Sequence, residues 1–154
     1  MRHYPSDSPE ATARVITLAL LADGAIDLSE LKTLEQHDIV NRLGLDNAGF
    51  DRVVHEFCED MLIYAHRMPA SHLELDLETI TDLLDEIRDP LLQKKVLRAM
   101  LDIVNADGRL AGGEAVLVSQ AMKRWVIDLY EVSHTPILPS RRWPSQVKCF
   151  KTAV

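Results

Sequence analysis

The chain has 154 residues, almost half of them apolar and few aromatic, enough for one domain with a real core built on Leu, Ile, Val, Ala and Met. Its formal net charge of −7 is uneven: residues 132–154 carry Arg141, Arg142, Lys148 and Lys151 and no acid, leaving −11 on the rest. An acidic body argues against nucleic-acid binding, which needs clustered cations, and suits a divalent cation or a basic partner.

Nearly every segment reads as helix. Ser8-Pro9-Glu10 is a start signal, with Ser8 as N-cap and Pro9 in the first helical position. Val15, Leu18, Ala19 and Ala22 then form one apolar face at three-and-four spacing. Asp23-Gly24 ends that helix, since glycine suits the left-handed C-terminal position. Asp27 and Glu30 look like a capping box opening a second helix, which is expected to run to about Leu43 before Gly44. Asp46 can cap a third helix through Phe50, Val53, Val54, Phe57, Met61 and Ala65.

A loop containing Pro69 follows. Asp76 can start a fourth helix with Leu77, Ile80, Leu83, Leu84 and Ile87 inward. Asp89-Pro90 is a sharp boundary opening a fifth helix, with Leu91, Val96, Leu97, Met100, Leu101 and Val104 on its apolar face. It ends at Asp107-Gly108, and a sixth helix is expected from about Gly112 to Tyr130. No window alternates as a strand would, so the class is all-α, with six or more helices in one compact domain over residues 8–131. Pro136, Pro139 and Pro144 break any continuous helix in the basic tail 132–154, which is expected to be flexible.

One pattern occurs twice, 84 residues apart. Asp23-Gly24-Ala25-Ile26-Asp27-Leu28-Ser29-Glu30 is matched by Asp107-Gly108-Arg109-Leu110-Ala111-Gly112-Gly113-Glu114, and alanine precedes each (Ala22, Ala106). The pattern has the order of the back half of an EF-hand loop: acid, glycine, aliphatic residue, closing glutamate. The front half is missing. Ala19 and Leu21 stand where the first two ligands belong, and in the second copy Ile103 and Asn105 do. Asp23, Asp27, Glu30, Asp107 and Glu114 are the candidate metal ligands, offering hard oxygens to Ca²⁺ or Mg²⁺. Read structurally, the same residues only terminate and cap helices.

The paired elements and the helical pattern resemble the TerB family, tellurite-resistance-associated helical domains with relatives fused to J-domain co-chaperones. The resemblance covers roughly residues 8–130 and rests on Leu18–Glu30 and on Met100–Leu110 with Glu114. It implies a compact helical fold with an acidic patch and a role in stress and chemical resistance. It also implies metal binding near the membrane, alongside partner proteins that include membrane-associated resistance components. The chain departs from the pattern at Ala111, where Asp27 has its counterpart, and at Gly112-Gly113.

Other chemistry is sparse. His37, His55 and His66 form no zinc signature, and the two cysteines, Cys58 and Cys149, have no metal or redox spacing. Cys58, near Val54, Phe57, Met61 and Leu62, reads as a buried reduced thiol. The adjacent acids Glu59-Asp60 and Asp85-Glu86 read as solvated surface, because neighbours on a helix do not face each other. No nucleophile, P-loop or dinucleotide motif is present, so the expected mode of action is binding rather than catalysis. The N-terminus lacks the basic and apolar regions of a secretory signal, and no apolar run approaches the roughly 20 residues of a membrane span. A cytoplasmic protein is expected, peripheral to the membrane if the resemblance holds. The alternative function is a protein-interaction module without metal, its acidic surface meeting a basic partner.

Overall fold

The structure, a computed structural model, describes residues 1–22, 28–67, 76–106 and 112–133. Among these residues there are eight helices and no strand. They are α1 (Pro9–Leu20), α2 (Leu28–Gln36), α3 (Ile39–Arg42), α4 (Asn47–Arg67), α5 (Leu77–Asp85), α6 (Pro90–Val104), α7 (Gly112–Trp125) and α8 (Leu129–Ser133). The all-α expectation holds. Among the described residues no helix is long and apolar enough to cross a membrane.

Local chemistry sets half of the starts. The Ser8 side chain accepts from Ala11 N–H, Asp46 from Gly49 N–H at 2.7 Å, Asp76 from Thr79 N–H at 2.7 Å and Asp89 from Leu91 N–H at 3.0 Å. Each satisfies a backbone donor that the first helical turn leaves unpaired.

The core is organised around α1, which is buried on every side from Ala11 to Leu20 rather than along one stripe. It packs on α4, α6 and α5. Its alanines allow close approach. Its threonines are satisfied within the helix, Thr17 Oγ1 donating to the Ala13 carbonyl at 2.9 Å and Thr12 Oγ1 to the Ser8 carbonyl at 3.1 Å. α6 packs on α1, α7, α2 and α8, while α5 lies against α7.

Two expected helices are broken. The second stops at Gln36, and Asp38 adopts φ 49° before α3 begins. Aspartate tolerates this left-handed conformation, and its Oδ1 accepts from Asn41 Nδ2 at 2.6 Å. The sixth stops at Trp125, where Val126 has φ 54°, and Ile127 N–H bonds back to the Met122 carbonyl at 3.1 Å. This is a Schellman closure with valine in the position that glycine usually takes. α3 closes the same way with the usual residue: Gly44 has φ 86°, and Leu45 N–H bonds to the Val40 carbonyl at 3.2 Å.

Three expected core residues face out. Leu77 and Leu91 are 54% and 68% exposed, because each lies in the first turn of its helix, beyond the packed face. Cys58 is exposed as well. The buried side of α4 centres on Phe50, Val53 and Phe57, and one residue further turns about 100° away from it. The helical body extends to Ser133, with Val132 buried in α8.

Candidate functional site

The two repeated elements begin alike. α1 and α6 end with the same bonds: Leu21 N–H to Thr17 O (3.1 Å) and Ala22 N–H to Ala19 O (3.3 Å), against Asn105 N–H to Leu101 O (3.0 Å) and Ala106 N–H to Ile103 O (2.9 Å). The helices that follow, α2 and α7, start at Leu28 and Gly112. Glu30 and Glu114 therefore stand at the same place, the third residue of each helix. Both are buried at 3% exposure, unusual for glutamate, and neither residue is without a partner.

Gly113 explains the departure at Gly112-Gly113. A Cβ added there would lie 2.1 Å from the Ala22 carbonyl oxygen, so only glycine lets the backbone of α7 approach the end of α1. Ala22 is the residue before Asp23, and Gly113 the residue before Glu114. The start of the second helix of one element thus touches the end of the first helix of the other. The contact also sets the carbonyl end of one helix dipole against the N–H end of another, which is favourable. Asp23, Asp27 and Asp107 lie outside the described residues, as do Gly24 and Gly108. Among the described residues no three His, Cys, Asp or Glu side chains form a metal-holding group.

A second polar cluster has no counterpart in the sequence reading. Arg14, in the middle of α1, is 1% exposed. Its Nη1 donates to the Arg2 carbonyl and its Nη2 to the Glu86 carboxylate, and its guanidinium carbon sits 4.8 Å from the centre of the Tyr4 ring. Asp60, 7% exposed, accepts the backbone N–H of Arg2 at 2.8 Å, while the Arg2 guanidinium donates to Glu59 at 2.7 Å. The Tyr4 hydroxyl donates to Glu56; burial and then that bond push it up to about 12. Asp7, at φ 61°, fixes the far end of this segment. Its carboxylate accepts from Arg88 and Asp89 N–H at 2.6 and 2.9 Å, and its N–H donates to the Glu86 carbonyl at 2.8 Å.

The acid pairs read as solvated surface are thus split by the fold. Glu59 stays exposed while Asp60 is buried, and Glu86 is 11% exposed against 41% for Asp85. Adjacent helical residues point to different faces, so one of each pair can turn inward when a buried arginine or backbone donor meets it. The one signal in the sequence was Arg14, a charged residue inside an apolar helix.

An open cleft of about 400 Å³ is lined by Asp85, Ile87, Arg88, Gln93, Arg124 and Trp125. Its charges are largely committed: Arg124 grips Asp85, Nη2 to Oδ2 at 2.6 Å, and the Trp125 ring N–H donates to the Leu84 carbonyl at 3.2 Å. Neither it nor the Arg14 cluster holds a nucleophile beside a general base.

No family model, curated protein or solved structure matches this chain.

Proposed function

We propose that this is a TerB-like protein of tellurite and stress resistance that acts by binding, and that its paired Asp-Gly elements hold a divalent cation. The observation that carries the reading is the contact of Gly113 with the Ala22 carbonyl, which makes the two elements neighbours. Glu30 and Glu114 fit such an ion as buried hard-oxygen donors, and Asp23, Asp27 and Asp107 adjoin them in the sequence. The ion would offset the repulsion among these acids, and its chemistry would be structural. Partners, including membrane-associated resistance components, would then meet a surface that the ion stiffens.

With the first two calcium-loop ligands missing, affinity belongs at the weak end, with a Kd on the order of 10⁻⁴ to 10⁻³ M. Millimolar Ca²⁺ or Mg²⁺ should therefore raise stability by about 1 kcal/mol. The test is thermal melting with and without each ion, on the natural chain and on Glu30→Gln/Glu114→Gln. The gain should vanish in the double variant. Melting that ignores both ions across a wide millimolar range would replace this reading with the metal-free interaction module.

A further inference from the structure

The segment before α1 lies on the helical body as a ligand lies in a groove. The walls are rooted in helices: Arg14 in α1, Glu56 and Asp60 in α4, and Glu86 just past α5. Together they read both backbone groups of residue 2, since Asp60 takes its N–H and Arg14 reaches its carbonyl. They also read two side chains. Glu59 takes the cation of residue 2, while Arg14 and Glu56 take the ring and hydroxyl of residue 4. Main-chain capture combined with alternate side-chain contacts is how peptide-binding domains recognise extended segments.

The occupant is held less firmly than the walls. Residues 1–5 have no regular structure, Arg2 is 41% exposed, and its partner Glu59 is 59% exposed. Such surface pairs contribute little, so the side-chain half of the anchor at residue 2 is weak. Opening strips Arg14 of its carbonyl partner and Asp60 of its N–H while both remain rooted in the core. Buried charges short of partners favour a replacement occupant. Even when the segment is docked, Arg14 Nε makes no hydrogen bond, so a segment bringing one more acceptor would satisfy the guanidinium better.

We propose that this groove is a peptide-recognition site for extended segments of the pattern arginine–any residue–aromatic, and that Arg2–Tyr4 occupies it in cis. A partner carrying the pattern displaces the chain's own segment. It competes against an effective concentration in the millimolar range, so the groove answers only to a partner that is abundant, tethered nearby or a better fit.

The test uses the 154-residue chain carrying Arg2→Ala and Tyr4→Ala, which removes both side-chain anchors of the cis occupant. It is titrated with a peptide of the natural sequence of residues 1–7, and with a control peptide bearing alanine at positions 2 and 4. The natural peptide should bind the variant about ten-fold or more tightly than the control does, and about ten-fold or more tightly than it binds the natural chain. Adding Glu56→Gln and Asp60→Asn to the variant should remove that preference. Equal binding of the two peptides, or none, overturns the proposal. Should the variant not fold, the natural chain labelled with ¹⁵N serves instead. Excess natural peptide should move the Arg2 and Tyr4 amide resonances toward free-peptide positions, and resonances that stay in place overturn it.

Discussion

Gly112 and Gly113 are adjacent, both open α7, and should respond to alanine with opposite signs. At Gly113 the new Cβ would lie 2.1 Å from the Ala22 carbonyl oxygen and 3.0 Å from its carbonyl carbon. Close C···O contacts in proteins bottom out near roughly 3.3 Å, so the backbones must part by about 1 Å. The obstacle is main chain, which cannot swing aside as a side chain would. Overpacking of this kind costs about 1–3 kcal/mol, and the helical preference of alanine returns at most about 1 kcal/mol. Gly113→Ala should therefore destabilise by about 2 kcal/mol, lowering the melting temperature by about 4–8 °C in a chain of this size. At Gly112 a Cβ meets nothing within 4 Å, and φ is not in the left-handed region. Gly112→Ala should be neutral or stabilise by up to about 1 kcal/mol. Urea and thermal unfolding of the two variants side by side form the assay. If Gly113→Ala is as stable as Gly112→Ala, α7 does not rest on the end of α1, and the adjacency of the two elements is lost with it.

Val126→Gly should stabilise the protein by up to about 1 kcal/mol in urea unfolding. It relieves a left-handed valine that is 85% exposed and loses almost no packing; a loss of stability would contradict the strained closure of α7. Tyr64 donates to Asp76, and that bond is the main reason the carboxyl sits below its ordinary range. A depressed folded value contributes stability that is present above the unfolded value of about 3.9 and lost as pH falls through the folded one. Tyr64→Phe should raise the Asp76 midpoint followed by NMR and shrink that contribution, and an unmoved midpoint would refute the coupling. In a Cys149→Ser background, Cys58 should be alkylated in the native state as fast as an exposed thiol; labelling that waits for unfolding would restore the buried reading.

Much of the helical order could be read from the sequence because the relevant forces act within four residues. Ser8, Asp46, Asp76 and Asp89 cap the helices they precede, whatever those helices later pack against. Pro90 and Gly44 have fixed local preferences, and the structure uses both. Exposure was not legible, because it depends on what arrives from elsewhere in the chain. Asp60 is buried and Glu86 mostly so because Arg2 and Arg14 reach them across 58 and 72 residues, and no window around either acid contains that information. The break at Val126 comes from the chain turning to bury Ile127 and Val132, against valine's own preference. Gly113 looked like a flaw in the second element. Only the packed fold makes it a requirement, because the carbonyl that forbids a side chain there belongs to the turn that ends α1, ninety-one residues earlier in the chain.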